Sequence, residues 1–265
     1  MNTSFENKTI LITGASSGIG KALALEFNKL GAIVIGTSRK QIELVKFKSE
    51  FKKPENFYAV ELDLEKSENF ETIIKNLIDK FGKIDILINN GGMSQRANAS
   101  DTSLEVDRRI MEINYFGNIA LTKSVLPFMK KSKSGSIIVI SSISGKFGFY
   151  LRSAYSASKH ALHGFYESLR LEEEENGIKV LMVCPGKIAT NISVNALTGD
   201  GKVHNKMDQS TANGVSSEFC AQEIIKGLIA NKEEIFIGGK ELKSVRVKRW
   251  FPKLFSRLIK KQPRE

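Results

Sequence analysis

The chain has 265 residues, 41% of them apolar and 26% charged, with a formal net charge of +11 and two cysteines. That length allows one large domain or two small ones, and the composition excludes collagen-like, disulfide-framed and disordered chains. Residues 240–265 carry ten Lys/Arg and two Glu, which puts +8 of the charge in the tail; the +3 left on the other 239 residues excludes a basic nucleic-acid groove over the body.

Cys184 and Cys220 are too far apart to make a framework, so a reducing, cytoplasmic setting is expected. The chain opens MNTSFENKTI and enters a strand pattern at Thr9 with no signal peptide. No apolar run approaches the roughly 18–20 residues of a transmembrane helix. His160 and His163 share a helix face, but no cysteine or acid cluster stands near them in sequence, so no metal site is expected.

In chain order, short β-branched runs predict strands at Thr9–Thr13, Ile33–Gly36, Tyr58–Leu62, Asp85–Asn89, Ser136–Ser141, Lys179–Cys184 and Ile235–Ile237. Between them, amphipathic periodicity predicts helices at Ile19–Leu30, Gln41–Phe51, Ser67–Phe81, Leu104–Phe116 running on to Met129, Ala154–Asn176 and Glu218–Asn231. Regular alternation with largely apolar strands implies an α/β fold: a single-domain, Rossmann-type, doubly wound parallel sheet of about seven strands with helices on both faces. That domain is expected to span residues 1–240, with a basic amphipathic tail at 241–265.

The first strand runs into Thr13-Gly14-Ala15-Ser16-Ser17-Gly18-Ile19-Gly20, a glycine-rich turn that opens a helix. Glycines let backbone approach a pyrophosphate, and the helix N-terminus offers N–H groups and a favourable dipole. The second strand ends at Ser38-Arg39-Lys40 with no acid for a ribose 2′-hydroxyl, which favours NADP(H) over NAD(H), with Arg39 on the 2′-phosphate. Asp63, before Leu64, is placed to accept from an adenine amino group, and Asn89-Asn90-Gly91-Gly92 ends the fourth strand. Asn114 falls mid-helix, where its propensity is poor, so its side chain should have an internal partner. Ser142 follows the fifth strand, and Tyr155 and Lys159 lie at i and i+4 on one helix face.

TGASSGIG, the Asp63 segment, NNGG, Asn114, Ser142, YSASK (Tyr155–Lys159) and Pro185-Gly186 together resemble the short-chain dehydrogenase/reductases over nearly the whole chain. The segments NYFGNIALTKSVLPFM and NISVNALTGDGKVHNKMD are similar to the dehydrogenase/reductase member 7 and 7B group, relatives of the 11-beta-hydroxysteroid dehydrogenases. Gly91 departs from the family's usual Ala. The resemblance implies catalytic Asn114, Ser142, Tyr155 and Lys159: Tyr155 as general acid/base, Lys159 favouring its phenolate and holding the nicotinamide ribose, Ser142 polarising the substrate oxygen, and Asn114 holding Lys159 through water. Cofactor contacts are expected from Gly14, Ser16, Ser17, Gly18, Ile19, Gly20, Ser38, Arg39, Asp63, Leu64, Asn90, Gly91, Tyr155, Lys159, Pro185, Gly186, Ile188 and Thr190. Substrate contacts are expected from Ser142, Tyr155, Met93 and Lys187. A homodimer or homotetramer is also implied.

Residues 187–214 are long and polar and sit where a substrate lid is expected, with Val194, Leu197 and Met207 facing substrate and Phe147, Phe149 and Tyr150 as apolar wall. A lipophilic ketone, aldehyde or secondary alcohol suits such a pocket. The alternatives are 3-oxoacyl reduction on an acyl carrier, drawn by the basic patch, and a non-catalytic NADP-binding regulator. The tail's stripe at 250, 251, 254, 255 and 258, with basic residues alongside, predicts either docking at an anionic membrane or packing on the domain or a partner subunit.

Overall fold

The computed structural model describes residues 5–262. The strands are β1 (Thr9–Ile12), β2 (Ile33–Ser38), β3 (Phe57–Glu61), β4 (Ile86–Asn89), β5 (Gly135–Ile140), β6 (Ile178–Pro185) and β7 (Glu234–Ile237). They pair in parallel in the order β3-β2-β1-β4-β5-β6-β7. The helices are α1 (Gly18–Lys29), α2 (Gln41–Val45), α3 (Phe70–Phe81), α4 (Leu104–Met111), α5 (Gly117–Ser132), α6 (Ser153–Glu172), α7 (Gln209–Ala212), α8 (Ser217–Ile229), α9 (Lys243–Trp250) and α10 (Pro252–Ile259).

Every residue of β1 is buried, yet Ile10 and Ile12 join one core while Leu11 joins the other. This is the period-two alternation of a strand covered on both faces. The first core carries Leu23 and Phe27 of α1 and Ile224 of α8; the second carries Ile74 of α3, Val125 of α5 and Tyr166 of α6. Chain order reverses between β1 and β4, and ligands of open α/β sheets bind beyond the carboxyl ends at such a switch point.

The predicted helix Gln41–Phe51 is not continuous. It stops at Val45 and gives way to a tight turn; Phe51 stacks on Phe57 of β3 with ring centroids 4.0 Å apart, and Phe47 lies tilted against Phe57 at 5.9 Å. The helix predicted through Asn114 is interrupted too, since residues Glu112–Phe116 form a wider π turn between α4 and α5. Residues 187–214 have little regular structure, but single bridges join Gln95 to Leu197, Ile188 to Val215 and Leu197 to Val203. The chain beyond β7 folds back on the domain, where Phe255 of α10 is buried against Phe147, their ring centroids 5.0 Å apart.

Candidate active site

A cleft of about 790 Å³ runs across the carboxyl ends of the strands. Of the residues expected at the catalytic, cofactor and substrate sites, Gly20 and Asn114 stand behind its wall, and Val194, Met207 and Tyr150, expected to face substrate, do not line it either.

On the β1 side the floor is backbone. Gly14 and Gly18 have φ of +63° and +53°, a left-handed conformation that glycine adopts without strain. At Gly20 an added Cβ would overlap the Gly14 carbonyl oxygen and the Asn90 amide, so glycine here lets α1 close on the turn. Asn90 holds that turn from β4, its Nδ2 donating to the carbonyls of Thr13 at 2.8 Å and Gly14 at 3.2 Å. Helix α1 has no side-chain cap and no acid in its first turn, while Ser16 to Ile19 face the cleft. Uncapped N–H groups at the positive end of a helix dipole suit a pyrophosphate, so the residues present fit a dinucleotide.

Arg39 is exposed at the carboxyl end of β2, on the cleft. Beside it stands an acid that sequence reasoning missed: Ser38 Oγ donates to Glu43 Oε2 at 3.1 Å, and Glu43 also lines the cleft. Only the turn that starts α2 brings residues five apart together here. Asp63 Oδ1 accepts from the backbone N–H of Glu65 at 3.1 Å, and Glu65 forms a two-pronged pair with Arg109, a further cleft residue. At Gly91 an added methyl would lie 2.7 Å from Leu64 Cδ1, so this departure from the family pattern leaves room that Leu64 uses.

Tyr155 lies in the first turn of α6 and Lys159 one turn on, both buried. Ser142 caps the turn after β5, accepting from Ser144 N–H at 3.1 Å. Lys159 Nζ donates to the carbonyl of Ile140 at 2.8 Å and stands 5.7 Å from the centroid of the Tyr155 ring. Burial pushes the Lys159 ammonium down to about 8. Burial also pushes the Tyr155 phenol above its ordinary value, while Ser142 and the charges of Arg96 and Arg152 pull it the other way.

Asn114 is fully buried in the π turn. Its Oδ1 accepts from Met93 N–H at 2.8 Å, and its Nδ2 donates to Met93 O and Ser158 Oγ, both at 2.9 Å. Ser158 Oγ in turn donates to the Tyr155 carbonyl at 2.8 Å. The internal partners expected for Asn114 are therefore a loop backbone and helix α6. The wider turn turns the amide inward, as such bulges often do near functional sites.

On the β5–β7 side the walls are side chains. Phe147, Phe149 and Leu197 line the cleft; Val194, Met207 and Tyr150 do not. Met207 is turned out and is 43% exposed, and Ser193 Oγ donates to its sulfur at 3.4 Å. Residues missed by sequence reasoning join here. Glu241 Oε1 accepts from the N–H groups of Lys187 (2.8 Å) and Gly239 (3.0 Å), tying the segment after β6 to the chain beyond β7. Ile259 and Gln262 reach the cleft from the far end of the tail. The fold also places Cys184 and Glu234 beside His163, with donor atoms within 4.8 Å, neighbours that the sequence order conceals. Lys146 fills that group from one side, lying 3.2 Å from His163 Nδ1 and pairing with Glu234, while burial holds His163 neutral, down to about 4.

A doubly wound parallel sheet with an open glycine turn facing Tyr155, Lys159 and Ser142 defines a dinucleotide-binding protein of the oxidoreductase class. The sequence profile of the family described as short chain dehydrogenase matches residues 8–200, and the chain belongs to that family. It is 42% identical over 236 residues to the Dehydrogenase/reductase SDR family protein 7-like of Anopheles gambiae, covering 87% of this chain and 74% of that one. It is 38% identical over 267 residues to Dehydrogenase/reductase SDR family member 7B of Rattus norvegicus, covering 98% and 82%. Among solved structures, a short-chain dehydrogenase from Streptomyces avermitilis superposes with a TM-score of 0.78 at 31% identity, over 94% of this chain and 98% of that one. A short chain dehydrogenase/reductase from Burkholderia phymatum in complex with NAD gives 0.83 at 19% identity over 95% and 96%, a likeness of fold.

Proposed function

We propose that this oxidoreductase transfers a hydride between NADP(H) and a lipophilic ketone, aldehyde or secondary alcohol, with Tyr155 as general acid/base. The observation that carries the reading is the convergence of Tyr155, Lys159 and Ser142 in one cleft with an uncapped, glycine-rich helix start. When bound, the nicotinamide supplies or accepts the hydride. Tyr155 gives its phenolic proton to the substrate oxygen in reduction and takes it back in oxidation, and Ser142 orients that oxygen. Lys159 holds the nicotinamide ribose, its Nζ anchored on Ile140 O. Asn114 fixes the helix turn that carries Tyr155, through Ser158.

Arg39 supports the 2′-phosphate and hence NADP(H) over the NAD carried by the Burkholderia relative; Glu43 beside it opposes a phosphate by charge. Phe147, Phe149, Leu197 and Ile259 support a lipophilic substrate. Residues 187–214 serve as its lid, bridged to Gln95 at Leu197. A homodimer or homotetramer is supported by the exposed Phe116 of the π turn and its neighbours Ile119 and Ala120 of α5, on a surface they share with Ser67, Glu112 and Lys123.

The tail has two faces. Phe255 faces the domain, while Trp250, Phe251, Leu254 and Leu258 are exposed among Lys253, Arg257, Lys260 and Lys261. That face supports peripheral docking of a cytoplasmic protein on an anionic membrane. No helix among the described residues is long and apolar enough to cross one. Flotation with phosphatidylserine vesicles, lost on Trp250→Glu with Phe251→Glu, tests the docking; flotation unchanged by those substitutions overturns it. Turnover of a carbonyl panel with NADPH tests the reaction, and Tyr155→Phe with undiminished turnover overturns the role of the phenol.

A further inference from the structure

The group of His163, Cys184 and Glu234 stands apart from the cleft. None of the three lines it, and neither do Lys146 and Glu167, which complete their surroundings. An imidazole, a thiol and a carboxylate converge here from α6, β6 and β7, although Cys184 is 21 residues from His163 and 50 from Glu234.

The placing of protons shows which atoms face the group. Lys146 Nζ lies 3.2 Å from His163 Nδ1, and an ammonium can only donate, so Nδ1 accepts and the ring proton sits on Nε2. Nε2–H then donates to Ser141 Oγ at 3.0 Å. Burial keeps the ring neutral, with the Nδ1 lone pair turned toward the cation. A metal-binding histidine is held in the same way, with one nitrogen on the cation and the other ring N–H on a polar partner.

Around Nδ1 the other donors take the spacing of one coordination shell. Glu167 Oε1, one turn on in α6, lies 3.4 Å from Nδ1, and Glu234 Oε1 lies 3.7 Å from it. The Cys184 thiol donates to Glu234 Oε1 at 3.6 Å. With metal–ligand bonds of about 2.0–2.3 Å, tetrahedral ligands stand about 3.3–3.6 Å apart, so small side-chain movements close the shell.

The middle of this set already holds a cation. Lys146 Nζ pairs with Glu234 Oε1 at 2.5 Å while bonding to His163 Nδ1. Its side chain is 23% exposed on the turn after β5 and can swing into solvent, and Glu234 and Glu167, at 32% and 50%, border the way in. Two carboxylates and a thiolate around a divalent cation leave a charge of −1, which Lys146 balances from the rim. Thiolate, imidazole and carboxylate together select zinc and its neighbours over magnesium or calcium.

We propose that His163, Glu167, Cys184 and Glu234 form a binding site for a divalent cation of the zinc class, with Lys146 as its competitor for the same place. On binding, the Cys184 S–H bond breaks, the sulfur–metal bond forms and the proton passes to solvent; the Lys146 ammonium keeps its protons and turns outward. No oxidation state changes. The cation ties α6 to β6 and to the edge strand β7, and the site stands independently of the hydride-transfer reading.

Cobalt(II) is the probe, added to the reduced full chain after chelator treatment. One equivalent is expected to give a near-ultraviolet thiolate-to-cobalt band with the strong visible bands of tetrahedral coordination, and zinc is expected to bleach both. Lys146→Met should bind cobalt about tenfold more tightly. His163→Gln and Glu167→Gln should bind it at least about tenfold more weakly, and Cys184→Ser should lose the near-ultraviolet band.

Absence of that band in the parent overturns the proposal, even where Lys146→Met shows it, because the natural chain is then closed to the cation. A band retained in Cys184→Ser also overturns it, since the sulfur then comes from elsewhere. Should Cys184→Ser or His163→Gln fail to fold, Glu167→Gln and Lys146→Met decide at positions open to solvent. Weaker binding in the first and tighter in the second support the site; unchanged binding in either overturns it.

Discussion

On the β1–β2 side of the cleft the shape is set by backbone: two left-handed glycines, a third that permits close approach, and an asparagine stitching β4 to the turn. On the β5–β7 side it is set by side chains from distant parts of the chain, Arg96, Arg152 and Asp208 foremost, with Glu241 and Phe255 behind them. On the reading proposed above, the first kind of construction holds the phosphates of a dinucleotide. The second, on the same reading, faces the substrate and lies outside the hydrogen-bonded sheet.

The largest expected effect breaks the second side. Asp208→Ala leaves two buried guanidiniums without their carboxylate, and a loss of about 3–5 kcal/mol in urea unfolding is expected. The acid dependence has a definite sign. Burial alone would raise the Asp208 carboxyl, but the Arg96 hydrogen bond and the charges of Arg96 and Arg152 outweigh it and hold the group below its ordinary value. The folded state therefore binds that proton less readily than the unfolded one. The stabilisation is complete above the unfolded value and is lost as pH falls through the folded one. The stability gap between the parent and Asp208→Ala should accordingly narrow below about pH 4, measured by unfolding at stepped pH.

Gly20→Ala attacks the first side. The added methyl overlaps backbone rather than a movable side chain, so a loss of about 1–3 kcal/mol is expected, together with weakened dinucleotide binding by fluorescence titration. The smallest effect sharpens the comparison within the cofactor side. Arg39→Ala should raise the KM for NADPH about tenfold and leave that for NADH nearly unchanged, while Glu43→Gln should lower the KM for NADPH. Equal sensitivity of both cofactors to Arg39→Ala would contradict the 2′-phosphate assignment.

What sequence reasoning reached follows the same division. Strand ends were legible to within one or two residues, because β-branched runs buried on both faces leave a local signal. The glycine turn and the Tyr155–Lys159 pair were legible because each lies within one turn or one helix. Asp208 was not, since its partners lie 112 and 56 residues away and no periodicity connects a loop aspartate to two arginines. The same applies to Glu241, 54 residues from Lys187. The end of α2 at Val45 was missed because Phe47 and Phe51 continue a helical pattern until Phe57 draws them into a stack. Asn114 was flagged for its poor propensity, but the wider turn that accommodates it carries no mark in the residue pattern.

The central claim is that the phenol of Tyr155 moves the proton in a cleft whose cofactor side is built independently of it. Its most direct measurement is Tyr155→Phe assayed two ways on one preparation: NADPH binding by fluorescence titration, and single-turnover carbonyl reduction. NADPH affinity within about threefold of the parent, with turnover lower by about 10²–10⁴, is the predicted result. Turnover close to the parent's, at undiminished NADPH affinity, would contradict it.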